Sequence, residues 1–233
     1  MLGRIAVAAI VAGAVAGVFF WAAHTIKVVP LVIQSEVYEE QSAGGSRAHN
    51  HASDRATGKA VQAEEEWTPA SSIERVAYTL IADLLLSIGF AFVLCSAFAI
   101  SGRAIDWREG TVWGIVAFVA VYVSPVLGLA PELPGMQASD LHARQAWWLS
   151  AAVAGAVGLA LAFLARPIWL RVGGAVFVVV PHLIGAPVHE LHAGPVPAEL
   201  AAQFAVASLA VTGFFWVVLG ACAGYAFERM QKT

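Results

Sequence analysis

Long apolar stretches with almost no charge are the feature that most restricts what this chain can fold into. A helix needs about 20 mostly apolar residues to cross a hydrocarbon core about 30 Å thick, at about 1.5 Å per residue. Five stretches are firm candidates, and they run over 5–29, 76–100, 111–129, 146–165 and 201–227. Because lipid cannot satisfy backbone polar groups, we expect each stretch to be a transmembrane helix.

A sixth apolar stretch, over 168–186, is weaker. Arg171 lies near its start, and Pro181, His182 and Pro187 lie near its end. Such a segment is typical of a short tilted helix or of a broken helix that lines a cavity. We therefore predict an all-α, polytopic integral membrane bundle of about six transmembrane helices, with five as the alternative, in a single membrane domain over residues 1–233.

The composition agrees with this class and excludes several others. Of 233 residues, 59% are hydrophobic and 12% are charged, whereas a soluble domain has about 45–50% and about 25%. The net charge of −3 offers no basic surface for nucleic acid. Cys95 and Cys222 both lie inside apolar stretches, where we expect packing roles instead of a disulfide. A secretory signal is the alternative for the first stretch, but its apolar part is long for one, which favours an uncleaved helix.

Lysines and arginines are distributed unevenly around these spans. With six spans, the two short loops on the side away from the termini carry one basic residue, Arg144. The positive-inside rule then predicts both termini in the cytoplasm and favours an even number of spans. The segment over 41–69 is rich in Gly, Ser, Ala, Asn and charge, so we expect a flexible external loop there. The basic residues on the side of the termini are Arg4, Arg103, Arg108, Arg166, Arg171, Arg229 and Lys232.

All seven histidines fall on the external half in this topology. Imidazole suits divalent Co, Ni, Zn and Cu, and carboxylates on the same face would make a mixed donor set. The absence of thiols there argues against a Cu(I) or structural zinc site. We therefore predict capture of a divalent transition metal from outside. The predicted metal ligands are His24, Glu36, Glu39, His182, His189 and His192, with His49, His51 and Glu132 as weaker members.

Spacing and depth separate these candidates. His189 and His192 are three residues apart, so a helical turn would place them on one face. An ordinary solvated loop explains His49 and His51 equally well, and His142 is better explained as an interfacial residue.

One acid lies deeper than the other candidates. Asp83 lies within the second span, where an ionisable residue is by default a functional candidate, either on a cation pathway or as a proton acceptor. An aspartate that reaches water or caps a neighbouring helix is the equal alternative. Two further expectations concern packing: Trp147, Trp148 and Trp169 are predicted interfacial anchors. Small residues four apart allow close helix approach in the pairs Gly13 and Gly17, Gly110 and Gly114, and Gly220 and Gly224.

Five ordered segments together resemble a known family. They cover 30–39, 128–135, 143–148, 181–187 and 204–209, and read PLVIQSEVYE, GLAPELPG, ARQAWW, PHLIGAP and FAVASL. This set resembles the CbtA-type cobalt transporter subunits of bacteria over nearly the whole chain, from Leu2 to Phe227. The matching motif positions are Glu36, Glu39, Glu132 and His182, and their metal role is our inference.

The resemblance implies import of Co²⁺, or of Ni²⁺, for cobalamin synthesis across the bacterial inner membrane. It implies a small one-helix, histidine-containing CbtB-type partner, contact with the lipid bilayer, no prosthetic group and no nucleic-acid partner; a homo-oligomer is compatible with it. The chain has no Gly-x-x-x-x-Gly-Lys-Ser/Thr phosphate loop, so energy must come from elsewhere. The alternatives are a membrane metal sensor or scaffold and a metal-dependent membrane enzyme. The enzyme reading lacks a His-Glu-x-x-His motif, because His189-Glu190-Leu191-His192 is one residue too short.

Overall fold

The computed structural model describes residues 2–53, 71–136, 138–187 and 194–232, without the side chains of 43–53. The described residues form helices and connecting turns and contain no strand. A π-helical turn, Val119–Val123, joins α4 to α5 within one continuous helix over 107–128. In chain order the α-helices are α1 (Leu2–Lys27), α2 (Val29–Ser53), α3 (Ser72–Ser101), α4 (Trp107–Phe118), α5 (Ser124–Gly128), α6 (Leu141–Leu164), α7 (Ile168–Ile184) and α8 (Ala198–Lys232).

Five of these helices are long and apolar enough to cross a membrane: α1, α3, the continuous helix over 107–128, α6 and α8. The apolar helix α7 is shorter, with 17 residues. The predicted all-α membrane bundle is thus confirmed. Its large exposed apolar side chains, such as Val93, Leu127, Phe163 and Leu183, are those expected of a surface in contact with lipid.

Capping residues explain where several helices begin and end. The Ser71 side chain accepts a hydrogen bond from the Glu74 amide at the start of α3, and Asp106 and Asp140 cap α4 and α6 in the same way. Gly102 ends α3 in the left-handed conformation with φ 63°, which a residue without Cβ adopts at no steric cost.

The observed helix boundaries differ from the predicted ones by up to five residues, and two of the differences have a local explanation. The first span ends at Lys27, not at residue 29, because Pro30 cannot donate a backbone hydrogen bond and instead lies in the first turn of α2. The backbone over 41–53, predicted as part of a loop, continues α2 as helix. Glu39, Glu40 and Gln41 are good helix formers, which favours this continuation. The rest of the predicted loop, up to residue 69, lies outside the described residues.

Glycine contacts show that three pairs of helices run antiparallel: α1 with α3, α4 with α8, and α6 with α7. Gly13 and Gly17 of α1 lie against Ile88 and Leu84 of α3, in reversed order. In the same way Gly110 and Gly114 of α4 lie against Gly224 and Gly220 of α8, and Gly158 of α6 lies against Gly174 of α7. These close approaches confirm the predicted role of the small-residue pairs.

The two chain termini lie at the same end of the bundle, which we call the terminal end. There the Arg4 guanidinium donates a hydrogen bond of 3.4 Å to the Met230 carbonyl. At the opposite end, the last turn of α7 returns to the third span, where His182 lies 3.3 Å from Ser124. The chain therefore traverses the bundle six times, α7 included.

The helices form two groups around the third span. Helices α1, α3, α4 and α8 share the main core, in which Phe98, Phe215 and Trp216 are buried. The hairpin of α6 and α7 packs against the other side, where Gly155 of α6 meets the Ala120 backbone in the π-helical turn. The third span thus lies between the core group and the hairpin.

Candidate functional site

A histidine and an aspartate meet inside the membrane-spanning part of the core group. His24 Nδ1 of α1 lies 3.1 Å and 3.3 Å from the two carboxylate oxygens of Asp83 in α3. Asp83 is buried, with 5% of its surface exposed, whereas the His24 side chain is 31% exposed. Because α3 begins at Ser72, Asp83 lies about three turns from the start of this helix. A buried acid paired with an imidazole at this depth is costly and marks a functional candidate.

The surroundings hold this pair in place. The Phe20 ring stacks on the His24 ring with centroids 5.4 Å apart, and the Ser87 hydroxyl donates a 2.6 Å hydrogen bond to the main-chain carbonyl of Asp83. Within the described residues, the buried atoms Trp21 Nε1 and Thr25 Oγ1 of the same helix have no hydrogen-bond partner. Buried polar groups normally find one, so α1 has unmet hydrogen-bonding capacity beside His24.

A second polar group lies between the third span and the hairpin. His182 Nε2 lies 3.3 Å from the Ser124 hydroxyl, which also donates a 3.4 Å hydrogen bond to the Ala151 carbonyl. The Trp147 ring packs edge-on against the His182 ring at 5.6 Å. Trp147 Nε1 donates a 3.3 Å hydrogen bond to the Pro125 carbonyl. This polar group therefore ties the start of α6 to the last turn of α7.

Trp147 is not the interfacial anchor that the sequence suggested. It is 6% exposed and lies against Gly128, where a Cβ would collide with the indole ring. Because Gly128 has no side chain, the indole ring has space to pack inside the protein. The neighbouring Trp148 and Trp169 are exposed, as an anchor must be.

The predicted external carboxylates have separate partners. Glu36 accepts two hydrogen bonds from the Arg75 guanidinium, at 2.6 Å and 3.1 Å. Glu132 forms an ion pair with Arg144 at 2.8 Å. Glu39 lies beside Gly135, where a Cβ would be 3.1 Å from the Glu39 Cβ. These acids cross-link α2 and the loop over 129–140 to their surroundings at the opposite end.

A hydroxyl cluster is the group that sequence reasoning missed. Tyr122, in the π-helical turn, lies within interaction range of the Ser208 and Thr212 hydroxyls of α8. Single hydroxyls in apolar helices give no sequence signal of this kind, because Ser and Thr are common in such helices. A π-helical turn is itself often found at functional sites, but it cannot be seen in the residue pattern.

The three polar groups lie at a similar depth. Phe20 and Phe215 are in contact, with ring centroids 4.6 Å apart, so His24, one turn further along α1, is level with the turn of α8 that precedes Phe215. Ser208 and Thr212 belong to that part of α8. Tyr122 and Ser124 lie two residues apart on the third span and so face opposite sides of it. The three polar groups therefore form one layer across the bundle, in the half nearer to the opposite end.

The predicted ligands do not all meet. Leaving aside the side chains of 43–53, no group of three His, Cys, Asp or Glu that could hold a metal ion is found in the described ranges. The structure joins His24 to Asp83 and places His182 at the same end, but on the far side of the third span. The side chains of His49 and His51, and all of His189 and His192, lie outside the described residues. His142 is exposed in the first turn of α6.

Comparison with known proteins gives one match. A family model described as a probable cobalt transporter subunit (CbtA) matches residues 2–228, which is almost the whole chain. No curated protein matches the chain, and no solved structure matches it. The matched range includes the described helices, except for the last four residues of α8, and all three polar groups.

Proposed function

Because the chain belongs to the CbtA family of probable cobalt transporter subunits, we propose that it is the membrane subunit of a divalent transition-metal uptake system. The cargo is Co²⁺, with Ni²⁺ as the related alternative, and its import serves cobalamin synthesis. The protein works in the bacterial inner membrane with both termini in the cytoplasm. It transports without catalysing a chemical reaction and without a prosthetic group.

The His24–Asp83 pair is the observation that carries this proposal. Its nitrogen and oxygen donors lie within the spanning part of the core group, and His24 is reachable while Asp83 is buried. A mixed nitrogen and carboxylate environment suits Co²⁺ and Ni²⁺ better than Ca²⁺ or Mg²⁺. A site with few protein donors also suits cargo, because a transported ion has to leave again.

External capture precedes this step. Glu39, His49 and His51 on α2, together with His189 and His192 further along the chain, concentrate the ion outside the membrane. Glu36 and Glu132 are engaged by arginines, so they contribute only when Arg75 or Arg144 releases them. The polar layer that holds His24, Tyr122 and His182 then supports passage through the bundle.

The membrane potential can drive this import without a nucleotide. Moving one charge through 100 mV is worth about 2.3 kcal/mol, so a divalent cation gains about 4.6 kcal/mol. Each 1.4 kcal/mol corresponds to a tenfold ratio, which makes the driving force equal to about a thousandfold accumulation. A partner of the small one-helix, histidine-containing CbtB type completes the transporter, since the family is described as a subunit.

Cobalt uptake tests the proposal directly. Bacterial cells that lack other cobalt importers, expressing the chain with its one-helix partner, should accumulate cobalt above the level of cells with an empty vector. His24→Ala and His182→Ala should lower the uptake rate, by about tenfold or more for His24.

His142→Ala is the matched control, because His142 is exposed at the same end of the bundle and should leave uptake unchanged. Accumulation at background level with the wild-type chain properly inserted would overturn the proposal. Parallel uptake of Ni²⁺ and Zn²⁺ identifies the preferred ion.

A further inference from the structure

His24 contacts Asp83 through only one of its two ring nitrogens. Both carboxylate oxygens lie near Nδ1, and the described hydrogen bonds of the ring all involve this atom. An ionised carboxylate only accepts hydrogen bonds, so Nδ1 is the nitrogen that carries the proton. The other nitrogen, Nε2, is then the position at which the ring can meet a ligand.

We infer that Asp83 is a positioning residue, which holds His24 with Nδ1 protonated so that Nε2 binds the passing divalent metal ion. This inference rests on the proposed function and assigns separate roles to the two members of the pair. Histidines that bind metals almost always donate their other N–H to a carboxylate, carbonyl or water, which fixes the ring orientation and raises its basicity. The His24–Asp83 geometry has this form.

Accessibility separates the two roles. Asp83 is 5% exposed, both of its carboxylate oxygens face Nδ1, and Ser87 engages its main-chain carbonyl. The His24 side chain is 31% exposed, although Phe20 covers one face of its ring. The imidazole is therefore the more accessible member of the pair, and in this assignment the carboxylate acts through it.

Charge supports the same division. A divalent cation on Nε2 has the carboxylate of Asp83 on the far side of the ring, which offsets part of its charge in a medium where isolated charge is costly. Within the described residues, the nearest arginine on α3, Arg75, lies two turns away and is bound to Glu36. Lys27, three residues beyond His24 on α1, is exposed, and His24 is the described side chain that contacts the Asp83 carboxylate.

His182 provides an internal comparison. Its Nε2 faces the neutral hydroxyl of Ser124, which leaves Nδ1 as its other nitrogen. The two histidines thus offer different ring nitrogens at a similar depth, and only His24 has a carboxylate behind it. We assign the stronger metal contact to His24.

Nitrogen-15 NMR of the histidine rings tests the positioning role without any metal. The full chain, purified into lipid nanodiscs and labelled on histidine, is measured at alkaline pH, and the His24 signal is identified by its loss in His24→Gln. We expect the proton on Nδ1 in the wild type, in the exposed-position control Gly89→Ala and in Asp83→Asn, whose amide oxygen still accepts a hydrogen bond. In Asp83→Ala the proton should move to Nε2, and Asp83→Ser replaces this variant if it does not fold. A wild-type ring with the proton on Nε2 would overturn the inference.

Uptake kinetics test the metal contact. If Asp83 acts through His24, Asp83→Ala should raise the half-saturating cobalt concentration by about 10- to 100-fold, while Asp83→Asn should stay within about threefold of the wild type. Gly89→Ala, at an exposed position of α3 where an added Cβ has nothing within 4 Å, is the control and should match the wild type. Equal losses in Asp83→Asn and Asp83→Ala would mean that the carboxylate itself binds the ion, which contradicts the inference.

The two measurements separate this inference from the proposed function. A chain that imports no cobalt, yet shows the proton on Nδ1 and its movement in Asp83→Ala, would defeat the proposed function and the metal contact while upholding the positioning of His24. A chain that imports cobalt but has a wild-type ring protonated on Nε2 would defeat the inference alone.

Discussion

At the scale of single residues, Arg75 decides what Glu36 is able to bind. The two side chains make a two-point contact at 2.6 Å and 3.1 Å, and each is about one-third exposed. Ion pairs that water can reach contribute about 0–1 kcal/mol to stability. The larger consequence is competition, because a metal ion can use the Glu36 carboxylate only by displacing the guanidinium.

Arg75→Gln should therefore strengthen external capture. Release of up to about 1 kcal/mol corresponds to a decrease of up to about fivefold in the half-saturating cobalt concentration. Uptake measured over a cobalt series checks this, and the double variant Glu36→Gln with Arg75→Gln should lose the gain. An Arg75→Gln chain with unchanged cobalt dependence would mean that Glu36 takes no part in capture.

Trp147 makes two separable contributions, one through its N–H and one through its ring. Trp147→Phe removes the hydrogen bond to the Pro125 carbonyl and should cost about 0.5–1.5 kcal/mol. Trp147→Ala also empties the space beside Gly128 and should cost about 3–5 kcal/mol. Reversible unfolding of the purified protein in mixed detergent gives both values. Equal losses in the two variants would show that the ring itself contributes nothing.

The sequence singles out candidate residues but does not show which of them meet. Asp83 and His24 each attract attention in the sequence because polar groups are rare in apolar helices, but 59 positions separate them. Whether they are in contact depends on the relative position of α1 and α3 along their axes. The packing of Gly13 and Gly17 against α3 fixes this position. The prediction that Trp147 is an interfacial anchor was wrong for a related reason, because its environment depends on Gly128, which lies on another helix.

At the scale of helices, glycine contacts hold α4 against α8. A Cβ on Gly220 would lie 2.9 Å from the Gly114 Cα, and a Cβ on Gly224 would lie 2.9 Å from the Gly110 Cα. Such distances require the two backbones to separate. Without a hydrophobic driving force in lipid, close packing of this kind is a main source of helix association.

A glycine series measures this contact. Gly220→Ala and Gly114→Ala should each destabilise the protein by about 1–3 kcal/mol, because the added methyl group meets backbone instead of a flexible side chain. Gly89→Ala and Gly173→Ala are matched controls from exposed positions with nothing within 4 Å, and they should change stability little. Detergent unfolding compares the four variants, and equal effects at both kinds of position would contradict a role for close contact.

The helices themselves were largely predictable from the sequence. Length and hydropathy located all five long spans to within a few residues, because lipid sets the length that a spanning helix must have. The shorter α7 and the end of α1 before Pro30 were less certain, since proline changes backbone hydrogen bonding only locally. Which glycine pair meets which was not predictable, because several helices carry the same small-residue spacing.

At the scale of the whole molecule, six traversals bring both termini to one end. The contact between Arg4 and Met230 joins these ends directly. The short segments on this side carry several basic residues, for example Arg103, Arg108 and Arg229, whereas the two short loops on the other side carry Arg144 alone. By the positive-inside rule, we expect this end to face the cytoplasm.

Labelling with a membrane-impermeant maleimide checks this orientation in intact cells. In a chain with Cys95 and Cys222 replaced by Ala, Asp140→Cys at the opposite end should react from outside. Gln231→Cys, near the C-terminus, should react only after the cells are opened. Labelling of Gln231→Cys in intact cells would reverse the orientation and place the predicted capture residues on the cytoplasmic side.

The shortness of α7 has a consequence for the surrounding lipid. Its 17 residues span about 25 Å, whereas the hydrocarbon core is about 30 Å thick. Leu183 and Ile184, at one tip of the helix, are both 80% exposed, so acyl chains have to compress to cover this flank. We expect the bilayer to be thinner beside α7, with lipid head groups and water closer to His182. A bilayer of shorter-chain lipids should need less thinning, so the transport rate in reconstituted vesicles should depend on acyl-chain length.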